Sequence, residues 1–285
     1  MNAVAEPVAI ELPSLLELFG ELHCRPDVPN EVYHADRSCV SASGLKEILR
    51  SPAHFQAYLH VERKETPALF LGTAIHARLL EPDLFAETYV VAPGSDKRAK
   101  EFKEFEIANA NKKILTAEQA AIIEGIALNA MRHQSASALL RAGLVEHTII
   151  WQDEETGIWL KIRPDCLSVD FETGICLDVK STEDAAPEAF AKSCVNYDYD
   201  VQAALYLEGL RAVFKRDFDF CFFPTEKKEP YGVALYGASD DMLRRGARRV
   251  RQALRLLKQC RDSNEWPSYQ PDGGYEVLEW PRWAA

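Results

Sequence analysis

Between Val145 and Lys180 the apolar residues adopt a period near two, and no other feature of the chain restricts its fold as much. Four segments rich in β-branched and aromatic residues follow one another: His147 to Trp151, Ile158 to Ile162, Cys166 to Val169 and Ile175 to Val179. Turn chemistry separates them at Glu155-Thr156-Gly157 and Glu172-Thr173-Gly174. In a strand, successive side chains point to opposite faces, and glycine supplies the backbone angles that tight reversals need. The spacing predicts a strand meander.

On both sides of the meander the period is helical. Ser41 or Ser43 can cap a helix carrying Leu45, Ile48 and Leu49, Pro52 opens a second with Phe55, Tyr58 and Leu59, and Pro67 opens a third that ends at Glu81-Pro82. Thr116 can cap a long helical region reaching about Leu140, with a break near His133 to Ser135. After the meander come helices at Pro187 to Cys194 and Val201 to Phe214, strands at Phe218 to Phe223 and Gly232 to Tyr236, and a last helix from Ser239 to about Arg261. This order, without an internal repeat, predicts a single α/β domain over residues 31–285: a central mixed β-sheet flanked by helices, with an N-terminal helical extension. Residues 1–30, rich in proline and acidic groups, read as a loosely ordered arm.

With 285 residues, 47% of them hydrophobic, the chain can bury a sizeable core. Its formal net charge of −11 argues against nonspecific coating of nucleic acid, yet suits a metal site, which needs clustered carboxylates. No apolar run approaches the roughly 20 residues of a membrane helix, and Met1 to Ala9 lack a cationic stretch ahead of an apolar one. A soluble, cytoplasmic protein without membrane association is expected. The seven cysteines are scattered and form no CxxC pair, so they read as reduced thiols and no iron–sulfur cluster is expected.

The sharpest local feature is Arg163-Pro164-Asp165, followed one turn later by Leu177-Asp178-Val179-Lys180. Pairing through Thr173-Gly174 would bring Asp165 close to Asp178, and residues two apart share a strand face, so Asp178 and Lys180 point together while Val179 faces the core. Unpaired charge inside an apolar run is costly and usually marks a metal or a paired site. Two carboxylates, waters and phosphate oxygens are what Mg²⁺ or Mn²⁺ prefers, and the Val179 carbonyl can complete the shell. Lys180 beside the ion would orient or help deprotonate an attacking water and offset charge on a phosphorane-like transition state. The competing reading makes Asp165 a turn cap and Asp178 and Lys180 solvated strand residues.

The run P-D, about a dozen residues, then D-x-K, carried by Pro164, Asp165, Asp178 and Lys180, resembles the signature of PD-(D/E)XK nucleases. Gly72-Thr73-Ala74-Ile75-His76 is similar to the GxxxH motif of RecB-like and RecE-like members, whose histidine approaches or binds a metal; on its residues alone a histidine such as His76 is more often a half-buried helix residue than a ligand. Gln202 and Tyr206, one helical turn apart, match QxxxY. Glu146 resembles a glutamate near the metal of lambda-type exonucleases. Glu265-Trp266-Pro267 and Leu278 to Trp283 look like the close of a RecE nuclease domain. The likeness to the RecE-type exonucleases runs from about Val32 to Trp283, while their long N-terminal extension is matched only by a short arm.

That resemblance implies a restriction-endonuclease-like core with His76, Asp165, Asp178 and Val179 at the metal, and Lys180, Gln202, Tyr206 and Glu146 completing the catalytic set with the two aspartates. It implies a DNA exonuclease that degrades linear double-stranded DNA 5′→3′, leaving 3′ single strands for a single-strand annealing protein, within a ring-shaped homotetramer. Two other readings stay open: an inactive DNA-binding or scaffold protein of the same fold, and an endonuclease.

For DNA contact the candidates are Arg163 and a row on the last helix, Arg244, Arg248, Arg251 and Arg255 with Lys258, beside the apolar stripe Leu243, Val250, Leu254 and Leu257. Such a row can bind phosphates or pair with acidic groups elsewhere. Trp151, Trp159 and Tyr199 can stack on frayed bases or belong to the core.

Overall fold

The computed structural model describes residues 12–20, 23–61, 65–94, 98–170 and 172–280. Helices α1 (Leu15–Phe19), α2 (Asn30–Ala35), α3 (Ala42–Arg50), α4 (Pro52–His60), α5 (Pro67–Leu80) and α6 (Pro82–Thr88) come first, with only β1 (Cys24–Arg25) among them. Next are β2 (Tyr89–Val91), α7 (Lys100–Ala108), β3 (Lys113–Leu115), α8 (Ala117–Arg132) and α9 (Gln134–Ala142). Strands β4 (Leu144–Val145), β5 (Thr148–Gln152), β6 (Trp159–Ile162), β7 (Cys166–Ser168) and β8 (Gly174–Thr182) follow. The chain continues with α10 (Pro187–Asn196), α11 (Tyr199–Phe214), β9 (Phe218–Glu226), β10 (Tyr236–Gly237) and α12 (Asp240–Ser263).

Helix starts follow local chemistry. Ser51, Thr66, Thr116 and Ser239 each accept a backbone N–H of the first turn, and proline occupies the first turn of α4 and α5, where its missing N–H costs nothing. The expected break between α8 and α9 falls at His133, whose Nδ1 accepts the Ala136 N–H at 3.2 Å and so caps the second helix.

The α/β architecture is present, with a mixed central sheet in the order β10-β9-β8-β7-β4. β8 and β9 run parallel along their whole length, and the other pairs are antiparallel. One face of β8 places Leu177 and Val179 against Leu80, Leu139, Leu140 and Phe223; Cys176, on the other face, joins the larger core beneath α3, α11 and α12.

The meander is not one sheet. β5 and β6 form a hairpin that pairs with β1 in a separate three-stranded sheet, while β7 and β8 belong to the central one. The break falls at Arg163-Pro164: proline has no N–H to continue a ladder, and Arg163 turns inward. The strand expected at Gly232 to Tyr236 shrinks to β10, preceded by a single bridge between Val233 and Thr225.

Part of the stretch expected to be a loose arm is packed. Leu15 and Phe19 are buried with Val28, Val32, Tyr33 and Ile150, and the Leu15 N–H donates to Asp36 Oδ1 at 3.1 Å. Residues 1–11 of that arm, and Pro281 to Trp283 of the terminal motif, lie outside the described residues. Trp266 stacks on Phe55 at 5.9 Å, which ties the chain after α12 to α4. Among the described residues no helix is long and apolar enough to cross a membrane.

Candidate active site

Asp165 directly precedes β7, and because Cys166 pairs with Leu177 in antiparallel register, Asp165 comes opposite Asp178. Its Oδ2 accepts the Val179 N–H at 2.6 Å, so the carboxylate of one strand is held by the backbone of the next. Asp178 is only 1% exposed. Its Oδ1 accepts Gln202 Nε2–H at 2.7 Å; its Oδ2 is ion-paired with Lys180 Nζ without hydrogen-bond geometry to any described group. Burial pushes the Asp178 carboxyl up, with Lys180 pulling it down and Asp165 pushing it further. Burial opposes the Lys180 charge, but Asp178 and Asp165 outweigh it and hold the pKa above the usual lysine value. The two aspartates thus favour the charged form of Lys180.

α5 buries Ala74 and Ile75, which leaves His76 half-buried at its edge, Nδ1 3.6 Å from Asp165 Oδ2. Glu146 links β4 to β5 with φ at +53°, a conformation L-residues seldom adopt, and its N–H donates to the Asp165 carbonyl at 3.3 Å. Such an outlier persists only where its surroundings hold it; here it aims a carboxylate at Asp165. His76, Glu146 and Asp165 each offer a ligand atom, all within 4.8 Å of one another. Burial, then the Asp165 charge, push the Glu146 carboxyl up to about 8, with Arg163 partly offsetting them.

These residues fit a divalent cation. Two crowded carboxylates with one imidazole, next to the buried carboxylate of Asp178, form an oxygen-rich donor set. Of the expected ligands, the structure groups His76 and Asp165 and adds Glu146. Asp178 lies alongside, engaged by Gln202 and Lys180, and the N–H of Val179 serves Asp165.

Residues 41–276 match the family described as PDDEXK-like domain of unknown function (DUF3799). The chain belongs to this family. The matched stretch contains Pro164 and Asp165, just ahead of β7, and Asp178 and Lys180, on β8. A solved structure from Eubacterium rectale, provisionally named an exonuclease, shares the fold with a TM-score of 0.60 at 16% identity, over 89% of this chain and 95% of that one. A phage-related exonuclease from Haemophilus somnus 129PT aligns at TM-score 0.30 and 10% identity, over 80% and 96% of the two chains. No curated protein matches the sequence.

Other expected residues have different surroundings. Tyr206 is buried, and its hydroxyl donates to the Arg163 carbonyl at 3.3 Å, so it positions the turn that leads into Asp165. Arg163, expected at DNA, is buried, its guanidinium donating to Thr148 Oγ1, Asn30 Oδ1 and the Val28 carbonyl. On α12 the cationic row is mostly neutralised within the protein: Arg244 pairs with Asp241, Arg251 with Asp153 and Glu208, and Arg255 with Glu155. Arg248 is exposed. Trp151 is a core residue packed on Gly209, and Trp159 is half-buried beside His23. Tyr199 alone of the three aromatics borders the site, its ring centroid 5.0 Å from Lys180 Nζ. Sequence reasoning missed Lys46, whose Nζ lies 5.3 Å from the same ring; an ordinary helix position carries no local signal of such a neighbour.

Proposed function

We propose that this chain is a divalent-metal-dependent deoxyribonuclease, using Mg²⁺ or Mn²⁺, that degrades linear double-stranded DNA from its ends. The observation that carries this reading is the convergence of His76, Glu146 and Asp165 beside the buried Asp178–Lys180 pair. His76, Glu146 and Asp165 would hold the ion, with Asp178 next to them. When bound, such an ion polarises a phosphoryl oxygen and makes water a better nucleophile. Lys180 Nζ, itself largely buried, presents positive charge where a phosphodiester gains negative charge on the way to cleavage. Gln202 fixes one oxygen of Asp178, and Tyr206 fixes the backbone ahead of Asp165.

The end-dependent, 5′→3′ reading draws on the motif order shared with RecE-type exonucleases and on the exonuclease name of the Eubacterium rectale protein of similar fold. Its product is a 3′ single strand for an annealing partner, and the working form is a ring-shaped homo-oligomer in the cytoplasm. The test is end-labelled linear duplex and covalently closed circular DNA, each incubated with Mg²⁺, Mn²⁺ or EDTA. Metal-dependent release of nucleotides from the linear duplex alone supports the exonuclease. Cleavage of the closed circle makes the chain an endonuclease, and binding without degradation makes it a scaffold.

A further inference from the structure

Beside the Asp178–Lys180 pair lies a second set of groups that the site as described does not use. Lys46, on α3, donates from Nζ to the Tyr197 carbonyl at 2.8 Å, and it shares the Tyr199 ring with Lys180, at 5.3 and 5.0 Å respectively. Burial, then the charge of Lys180, lower its pKa to about 8. Asp178, Asp198 and Asp200 are the acidic groups that act on Lys46. Each is already engaged: Asp178 by Lys180 and Gln202, Asp198 by Arg249, and Asp200 by Arg245 and Arg249. Among the described residues Lys46 makes no ion pair of its own. An ammonium has three hydrogens, and only one is used by the Tyr197 carbonyl. A partly desolvated cation beside a like charge, with donors to spare, gains most from an incoming anion.

Tyr197 ends α10. Its ring stacks on Tyr199 with centroids 5.7 Å apart and planes at 28°, yet the residue is 62% exposed, so aromatic surface remains open to solvent. A cation for a phosphate next to an exposed ring for a base is the combination by which proteins hold unpaired nucleic-acid strands.

We propose that Lys46 and Tyr197 form a strand-holding subsite, in which Lys46 takes a backbone phosphate neighbouring the scissile one and Tyr197 stacks on the base of that nucleotide. The subsite rests on the nuclease reading for its place in the reaction, while its ligand chemistry, a single strand of DNA, can be tested without cleavage.

The experiment measures fluorescence anisotropy of a labelled oligo-dT strand with the full chain in EDTA, over a series of salt concentrations. Lys46→Gln keeps an amide donor for the Tyr197 carbonyl but removes the charge. It is expected to weaken binding about tenfold and to reduce the slope of log K against log salt by about 0.7, the value for one lost phosphate contact on single-stranded DNA. Lys46→Arg is expected to keep both affinity and slope. Tyr197→Ala is expected to weaken binding about tenfold with the slope unchanged, and Tyr197→Trp to restore it. In cleavage assays the Lys46→Gln and Tyr197→Ala variants should raise KM while leaving kcat within about threefold, since neither group is assigned to the chemistry. Wild-type affinity and slope in Lys46→Gln would make Lys46 a structural tie and overturn the proposal, as would unchanged affinity in Tyr197→Ala. If the wild type binds in this pattern but cleaves no DNA, the nuclease reading fails and the subsite stands. If it cleaves DNA while both variants bind normally, the subsite fails and the nuclease stands.

Discussion

The carboxylate of Asp165 is held by the backbone N–H of Val179 at 2.6 Å, on the strand that presents Asp178 and Lys180. One short bond thus sets the orientation of a candidate metal ligand from the backbone of its neighbour. Asp165→Asn keeps a carbonyl oxygen for that N–H and removes the charge. The expected outcome is a stability within about 1 kcal/mol of wild type and a loss of metal-dependent cleavage of at least about a hundredfold. Asp165→Ala also strands the N–H and should cost about 1–3 kcal/mol in urea unfolding. Substantial cleavage by Asp165→Asn would remove Asp165 from the metal site.

Glu146 makes the metal-free protein sensitive to pH. Its carboxyl is shifted from an ordinary 4.5 up to about 8, chiefly by burial and then by Asp165, so the folded state favours the protonated form. Stability from this group is full below about 4.5 and falls as pH rises toward about 8, because between those values the folded state holds a proton that the unfolded chain has lost. In EDTA the thermal midpoint of the wild type should drop across that window more steeply than that of Glu146→Gln. Parallel curves for the two proteins would rule out the shift.

α12 packs closely on α11 because Gly246 has no side chain. A Cβ there would run into the Asp200 carbonyl, and the neighbouring Arg245 and Arg249 both donate to the Asp200 carboxylate at 2.9 Å. Gly246→Ala should push the helices apart and cost about 1–3 kcal/mol, the usual range for overpacking, despite the better helix propensity of alanine. A neutral or stabilising effect in urea titration would show that the two helices adjust without strain.

What could be read from the sequence is what depends on near neighbours. Pro52, Pro67 and Thr116 mark helix starts through groups within one turn, and the Asp165–Asp178 register follows from a tight reversal between adjacent strands. The inward turn of Arg163 and the ion pairs of Arg251 and Arg255 have no local signal because the partners are remote: Asn30 for Arg163, and Asp153, Glu155 and Glu208 for Arg251 and Arg255. Helical spacing sets which face a side chain occupies; it says nothing of which carboxylates the fold brings to that face. Lys46 near Lys180 has no local signal for the same reason, whereas α1, five residues long, joins burial of Leu15 and Phe19 to a capping box between Ser14 and Glu17 that is local in the sequence.

A buried ion pair joins the packed part of the N-terminal segment to β6. Lys161 Nζ reaches Asp36 Oδ2 at 3.1 Å, with both side chains almost fully buried, and also donates to the carbonyls of Tyr33 and Asp36. Asp36 in turn accepts the N–H groups of Leu15 and Cys39 at 3.1 Å each. The two single substitutions should therefore differ. Asp36→Ala leaves a buried ammonium without its counter-charge and strands the backbone N–H groups of Leu15, Ser38 and Cys39, for an expected cost of about 3–5 kcal/mol. Lys161→Met leaves a carboxylate that still has those N–H donors, and should cost less. Combining them should cost less than the sum, since the second change removes the charge that the first left unpaired. Urea unfolding of the four proteins measures the cycle, and limited proteolysis between residues 12 and 36 reports whether α1 has come loose. Equal single effects that simply add would show that the pair is not what fastens this segment to β6.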